Sequence, residues 1–127
     1  MHAGAPVVLA VDDDDCVRRL YRRMVERHLR GYFVGVGSAA ELWRRLTTLD
    51  CPDLVLLDYH LPDADGRAIW EELCDRVPVY REIPLILLSS EGALLAGEAY
   101  WQQTAACVVP KPFDVQQLLV QLRRWLP

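Results

Sequence analysis

Acidic side chains stand where two apolar runs of this chain end. Val7-Val8-Leu9-Ala10-Val11 leads directly into Asp12, Asp13, Asp14 and Asp15, and Leu54-Val55-Leu56-Leu57 leads into Asp58. Ser89 closes a third run, Pro84 to Leu88, and Lys111 follows a fourth, Cys107 to Val109. Gathered in one place, these groups support one kind of chemistry. Crowded carboxylates repel one another and take up protons unless a cation is present. Their hard oxygens suit magnesium (or manganese); magnesium keeps several waters and takes one or two carboxylates plus a phosphate oxygen. Asp58 is then a nucleophile for phosphorus. Lys111 and the Ser89 hydroxyl can offset charge on the oxygens of a transferred phosphoryl group. Each residue alone has a plainer role. One of Asp14 and Asp15 suffices to cap a helix, Asp58 could sit in a turn, and strand-end serines and loop lysines are common. The joint placement is what carries the reading.

The elements that must position these groups follow from the pattern. Apolar runs over Val7–Val11, Asp53–Asp58 and Ile83–Leu88 predict strands buried on both faces, with shorter strands at Tyr32–Val36 and Cys107–Val109. Val17, Leu20, Tyr21, Met24, Val25 and Leu29 recur at steps of three and four, the apolar stripe of a helix closed by Gly31. Ser38-Ala39-Ala40-Glu41 reads as a capping box opening a second helix. Further helices are expected from Gly66 to about Val77, from Ala93 to Gln103, and from the Asp114 cap through Leu126. Strands alternating with helices predict an α/β fold, a doubly wound (βα)5 parallel sheet with helices on both faces. For this length the flavodoxin-like strand order 2-1-3-4-5 is the natural choice. Pro110 supports it, because a missing N–H is tolerated on an edge strand. In that order Asp12, Asp13, Asp58, Ser89 and Lys111 converge beyond the carboxyl ends of neighbouring strands, where such sheets bind ligands. The 127 residues read as a single domain, with a core from about 6 to 126 and no output domain.

Four segments together resemble the response-regulator receiver family, the single-domain chemotaxis receiver included. They are Val11-Asp12-Asp13-Asp14, the stretch from Asp53 through Asp58 to Gly66, the stretch from Pro84 to Ser90, and Lys111-Pro112-Phe113. The resemblance spans essentially the whole chain without insertion. It implies that Asp58 is the phosphoacceptor, that Asp13 and Asp58 ligate the metal directly, and that Asp12 holds a metal-bound water. It further implies a third protein ligand in the backbone carbonyl of His60, a switch hydroxyl in Ser89, a phosphate-pairing lysine in Lys111, and a cis Lys111–Pro112 peptide. The side chains of His60 and Glu91 resemble positions that tune the phosphoryl lifetime. The implied partners are a histidine kinase or phosphotransfer protein upstream and an output partner or effector domain downstream, and a homodimer is compatible. The implied behaviour is a switch that assists its own phosphorylation and dephosphorylation, not a turnover enzyme. Two departures stand out. Val108 occupies the place of a usual aromatic reporter, and Thr104 that of a common glycine. They predict a muted or rerouted response along the fourth helix, fifth strand and fifth helix.

Composition narrows the remaining classes. A net charge of −4 argues against direct nucleic-acid binding. Arg18, Arg19, Arg22, Arg23, Arg27 and Arg30, interleaved with Glu26 on the first predicted helix, read as a solvated face rather than a DNA-reading one, with a docking face for a protein partner as the alternative. The four cysteines form no C-x-x-C pair and are expected as reduced, half-buried thiols. No apolar run reaches membrane-spanning length and the N-terminus lacks signal-peptide character, so a cytoplasmic chain with no membrane contact is expected. An aspartyl-phosphate hydrolase of haloacid dehalogenase type is the rival; such enzymes commonly carry an acid where this chain has His60. A flavodoxin would need a Ser/Thr/Gly-rich phosphate loop after the first strand, where this chain has aspartates.

Overall fold

Val, Leu and Ile at successive positions leave no polar face for water, so the central strands must be covered on both sides. The computed structural model, which describes residues 4–127, shows this arrangement. Strands β1 (Val7–Val11), β2 (Tyr32–Val36), β3 (Leu54–Asp58), β4 (Leu85–Ser89) and β5 (Cys107–Pro110) form one sheet. All pairings are parallel and the order is β2-β1-β3-β4-β5, as the sequence predicts. Alternate residues serve opposite faces. Leu9, Val11, Val55, Leu57, Leu85 and Leu87 pack with helices α2 (Ala39–Arg45), α3 (Gly66–Arg76), α4 (Gly92–Ala96) and α5 (Ala99–Thr104). Val8, Ala10, Leu54, Leu56, Ile86 and Leu88 pack with α1 (Asp15–Arg23) and α6 (Val115–Trp125).

The helix starts follow their caps. Asp14 caps α1 by accepting from the Cys16 and Val17 amides at 2.8 and 3.2 Å, and Asp114 caps α6 through the Gln117 amide. Ser38 accepts from the Glu41 amide as a capping box requires, but Glu41 reaches back to the Gly37 amide at 2.6 Å, not to that of Ser38. Helix α1 runs on into a π-helical turn, Met24–His28. The left-handed residue beyond it is Arg30, with φ of 52°, not the expected Gly31. Gly31 is needed for a different reason: a Cβ there would lie 2.7 Å from the Pro6 carbonyl oxygen.

The fourth predicted helix is broken in two. The Gly97 and Glu98 amides close short turns onto Leu94 and Leu95, and Glu98 is extended (ψ 133°) before α5 begins. Glycine's low helix propensity and the weak apolar pattern around it explain the break. Past it, Trp101 sits in the core at 2% exposure. Cys74 is buried and Cys107 half-buried, whereas Cys16 and Cys51 are exposed, contrary to expectation; all are free thiols.

Candidate functional site

Each site residue is fixed by the strand end that carries it. The Asp12 amide donates to the Val36 carbonyl at 3.0 Å and the Tyr59 amide to Leu88 at 2.9 Å. The Lys111 amide donates to the Ser89 carbonyl at 2.8 Å, continuing the β4–β5 ladder past Pro110. Gly92 allows β5 to approach the start of α4, because a Cβ would meet Pro110 Cα at 2.6 Å. The Lys111–Pro112 peptide is cis.

The expected side chains do come together. Carboxylate oxygens of Asp12, Asp13 and Asp58 lie within 4.8 Å of one another, with Asp12 and Asp58 buried and Asp13 exposed. Lys111 Nζ is 2.8 Å from Asp12 Oδ2 and 3.5 Å from Asp58 Oδ2. The His60 amide donates to Asp58 Oδ1 at 3.3 Å, and the Asp14 amide to Asp12 Oδ1 at 3.0 Å. Ser89 is fully buried, and its Oγ accepts from the Glu91 amide at 2.9 Å. Beyond the ends of β3 and β4, His60 Nε2 and Glu91 Oε2 are 2.9 Å apart, both half exposed. Burial raises the Asp58 pKa above the ordinary carboxylate value; the Lys111 charge and the His60 amide oppose this, while Asp12 and Asp13 add to it. A divalent cation would relieve that strain, and a set of three carboxylate oxygens is a hard-donor site that fits magnesium.

Three residues went unnoticed as contributors. Arg18 belongs to the arginine face expected to be solvated, yet its Nη1 donates to the Asp12 carbonyl at 2.5 Å and it pairs with Asp15. Its spacing from Asp15 on the same helix was the available signal. Asp63 accepts from the Ala39 and Ala40 amides at 3.1 and 3.0 Å, tying the loop after β3 to the start of α2. No local pattern announces a bond between segments so far apart in sequence. Tyr21 is 1% exposed and its hydroxyl has no hydrogen-bond partner among the described residues. At the expected reporter position, Val108 is half-buried against the core.

A parallel α/β sheet with an acidic triad, a lysine and a buried hydroxyl beyond its carboxyl ends defines a domain built to carry a phosphoryl group on a carboxylate. The sequence profile of the response regulator receiver domain matches residues 8–123, and the chain belongs to that family. It is 28% identical over 117 residues to the DNA-binding transcriptional regulator NtrC of Proteus hauseri, covering 92% of this chain and 24% of that protein. It is 30% identical over 122 residues to the protein PetR of Rhodobacter capsulatus, covering 96% and 49%. The chain thus spans at most about half the length of these relatives. Among solved structures, a sensor protein from Polaromonas superposes with a TM-score of 0.80 at 26% identity, covering 94% of both chains. The response regulator TrrA of Thermotoga maritima, solved in complex with Mg(2+)-BeF, has a TM-score of 0.76 at 21% identity over 95% of this chain and 99% of that one. The chain is therefore a signalling receiver of the two-component type. No support accrues to the haloacid dehalogenase alternative, and the residue two beyond Asp58 presents an imidazole to Glu91.

Proposed function

We propose that Asp58 is the residue phosphorylated, in a magnesium-dependent reaction, by a histidine kinase or phosphotransfer protein. The observation that carries this is the position of its carboxylate: 7% exposed, flanked by Asp12 and Asp13, and 3.5 Å from the Lys111 ammonium. One Asp58 oxygen forms a bond to phosphorus while the bond from phosphorus to the donor's imidazole nitrogen breaks; the donor nitrogen takes up a proton. Lys111 orients and neutralises the transferred group, and Ser89 donates its hydroxyl proton to one phosphoryl oxygen after releasing the Glu91 amide. The carboxylates of Asp13 and Asp58 and the His60 backbone carbonyl would hold the magnesium ion, with Asp12 orienting a bound water. When bound, the ion neutralises charge on the phosphoryl oxygens. In hydrolysis a water oxygen bonds to phosphorus as the bond to the Asp58 oxygen breaks, releasing inorganic phosphate and the free carboxylate. Lys111 and Ser89 stabilise this step as they do the first, so the domain assists its own dephosphorylation. The exposed His60–Glu91 pair, carried two residues beyond Asp58 and Ser89, is the group we assign to tuning that step.

Residues 6 to 126 act as one receiver unit in the cytoplasm, passing the signal to an output domain or partner by conformational change. No helix among the described residues is long and apolar enough to cross a membrane. Incubation with acetyl phosphate and magnesium, followed by intact mass measurement, tests the reading. The wild type gains one phosphoryl group and Asp58→Asn gains none. A gain that survives in the variant, or none in the wild type, contradicts it.

A further inference from the structure

Tyr21 is a buried polar group for which the proposed reaction has no use. Helix α1 turns it inward into the core, and its ring stacks on Phe113 at 5.8 Å between centroids, 20° from parallel. Phe113 directly follows Lys111-Pro112, so the tyrosine packs against the segment that carries the lysine. Its hydroxyl has no hydrogen bond among the described residues, and the carboxylates that act on it most are Asp12 and then Asp58. Burial, then the Asp12 and Asp58 charges, push its pKa well above the ordinary phenol value, so it remains a donor. Folded proteins rarely leave such a donor unpaired, because an unmade buried hydrogen bond is costly.

Asp12 indicates where that donor is used. In this structure its Oδ2 is held by Lys111 and its Oδ1 by the Asp14 amide, and the residue is 1% exposed. Lys111 Nζ is only 3.5 Å from Asp58, so phosphoryl oxygens on Asp58 would draw the ammonium off Asp12. The buried carboxylate then keeps the Asp14 amide and the bound water assigned to it above, but loses its side-chain donor. We propose that the Tyr21 hydroxyl takes over Asp12 when Lys111 turns to the phosphoryl group on Asp58, making Tyr21 a positioning residue for the phosphorylated state. This inference rests on Asp58 being the phosphoacceptor.

Tyr21→Phe tests it, since the change keeps the ring and its stacking and removes only the hydroxyl. Beryllofluoride with magnesium serves as the probe of the phosphorylated state, with affinity read by calorimetry and melting temperature measured in EDTA. The variant should melt at or above the wild-type temperature, because an unpaired buried hydroxyl is gone. It should bind beryllofluoride about tenfold more weakly, as loss of a hydrogen bond to a charged group implies. A tyrosine that merely fills space would leave that affinity unchanged, and equal affinities overturn the inference alone. A wild type that does not bind the probe at all overturns the phosphoacceptor reading and this inference with it.

Discussion

Replacing Asp58 by Asn should stabilise the metal-free protein while abolishing its reaction. The asparagine keeps an oxygen to accept the His60 amide, so the main change is one of charge. At the 4.8 Å that bounds the carboxylate separations, and with an effective dielectric of about 20, each like-charge pair with Asp58 costs about 3.5 kcal/mol. Lys111 at 3.5 Å returns about 4.7 kcal/mol on the same scale. The balance runs against the Asp58 charge by about 2 kcal/mol, and because Asp13 is exposed and screened by water a gain of about 1 kcal/mol is expected. For a domain of this size that is a rise in melting temperature of about 4 °C. Magnesium at about ten times its Kd adds about 1.4 kcal/mol to the wild type, and less to the variant, which has lost a carboxylate ligand. The variant therefore melts higher than the wild type in EDTA, and magnesium narrows that lead. The pH dependence follows from the raised Asp58 pKa. The cost of its charge is present above that pKa and fades as pH falls toward the unfolded value, so the two EDTA curves converge in acid. An Asp58→Asn protein that melts lower in EDTA, or that gains as much from magnesium as the wild type, would refute the reasoning.

Other substitutions separate the remaining roles. Lys111→Met should slow phosphorylation by acetyl phosphate by about 100-fold, the loss associated with one charge-stabilising donor, as followed by intact mass against time. Gly92→Ala should destabilise the fold by about 1–3 kcal/mol in chemical denaturation, because its Cβ meets Pro110 backbone atoms at 2.6 and 2.9 Å. Asp63 has its pKa lowered by the Ala40 and Ala39 amides, so its contribution is present above the unfolded pKa and lost as pH falls; Asp63→Ala should flatten the acid limb of the stability curve measured by urea unfolding. With Val108 at the reporter position, beryllofluoride should shift the amides of Val108 to Pro110 and of the adjacent helices only weakly in NMR spectra, and large shifts there would restore the usual output route.

Much of this architecture was legible because its signals are local. Buried parallel strands read as unbroken apolar runs, and Asp14, Ser38 and Asp114 sit where helix caps must. Strand order alone then brings the ends that carry Asp12, Asp13, Asp58, Ser89 and Lys111 side by side. The features that stayed hidden depend on contacts distant in sequence. Asp63 bonds to amides at Ala39 and Ala40, and Trp101 lies in the core on a helix that starts afresh after the break at Gly97. Tyr21 fitted an apolar stripe so well that its hydroxyl drew no notice, though a phenol fully buried beneath carboxylates is a different object from a leucine. Arg30 takes the left-handed position that a helix-closing glycine usually fills, while Gly31 is required by its approach to Pro6.

The central claim, that Asp58 itself carries the phosphoryl group, is tested most directly by trapping it. An acyl phosphate is reduced by borohydride to an alcohol, which converts the modified aspartate to homoserine in a peptide that mass spectrometry can sequence. After incubation with acetyl phosphate and magnesium, the account predicts homoserine at position 58 and nowhere else. Homoserine at position 12 or 13, or an unreduced chain from protein that had gained a phosphoryl group, would contradict it.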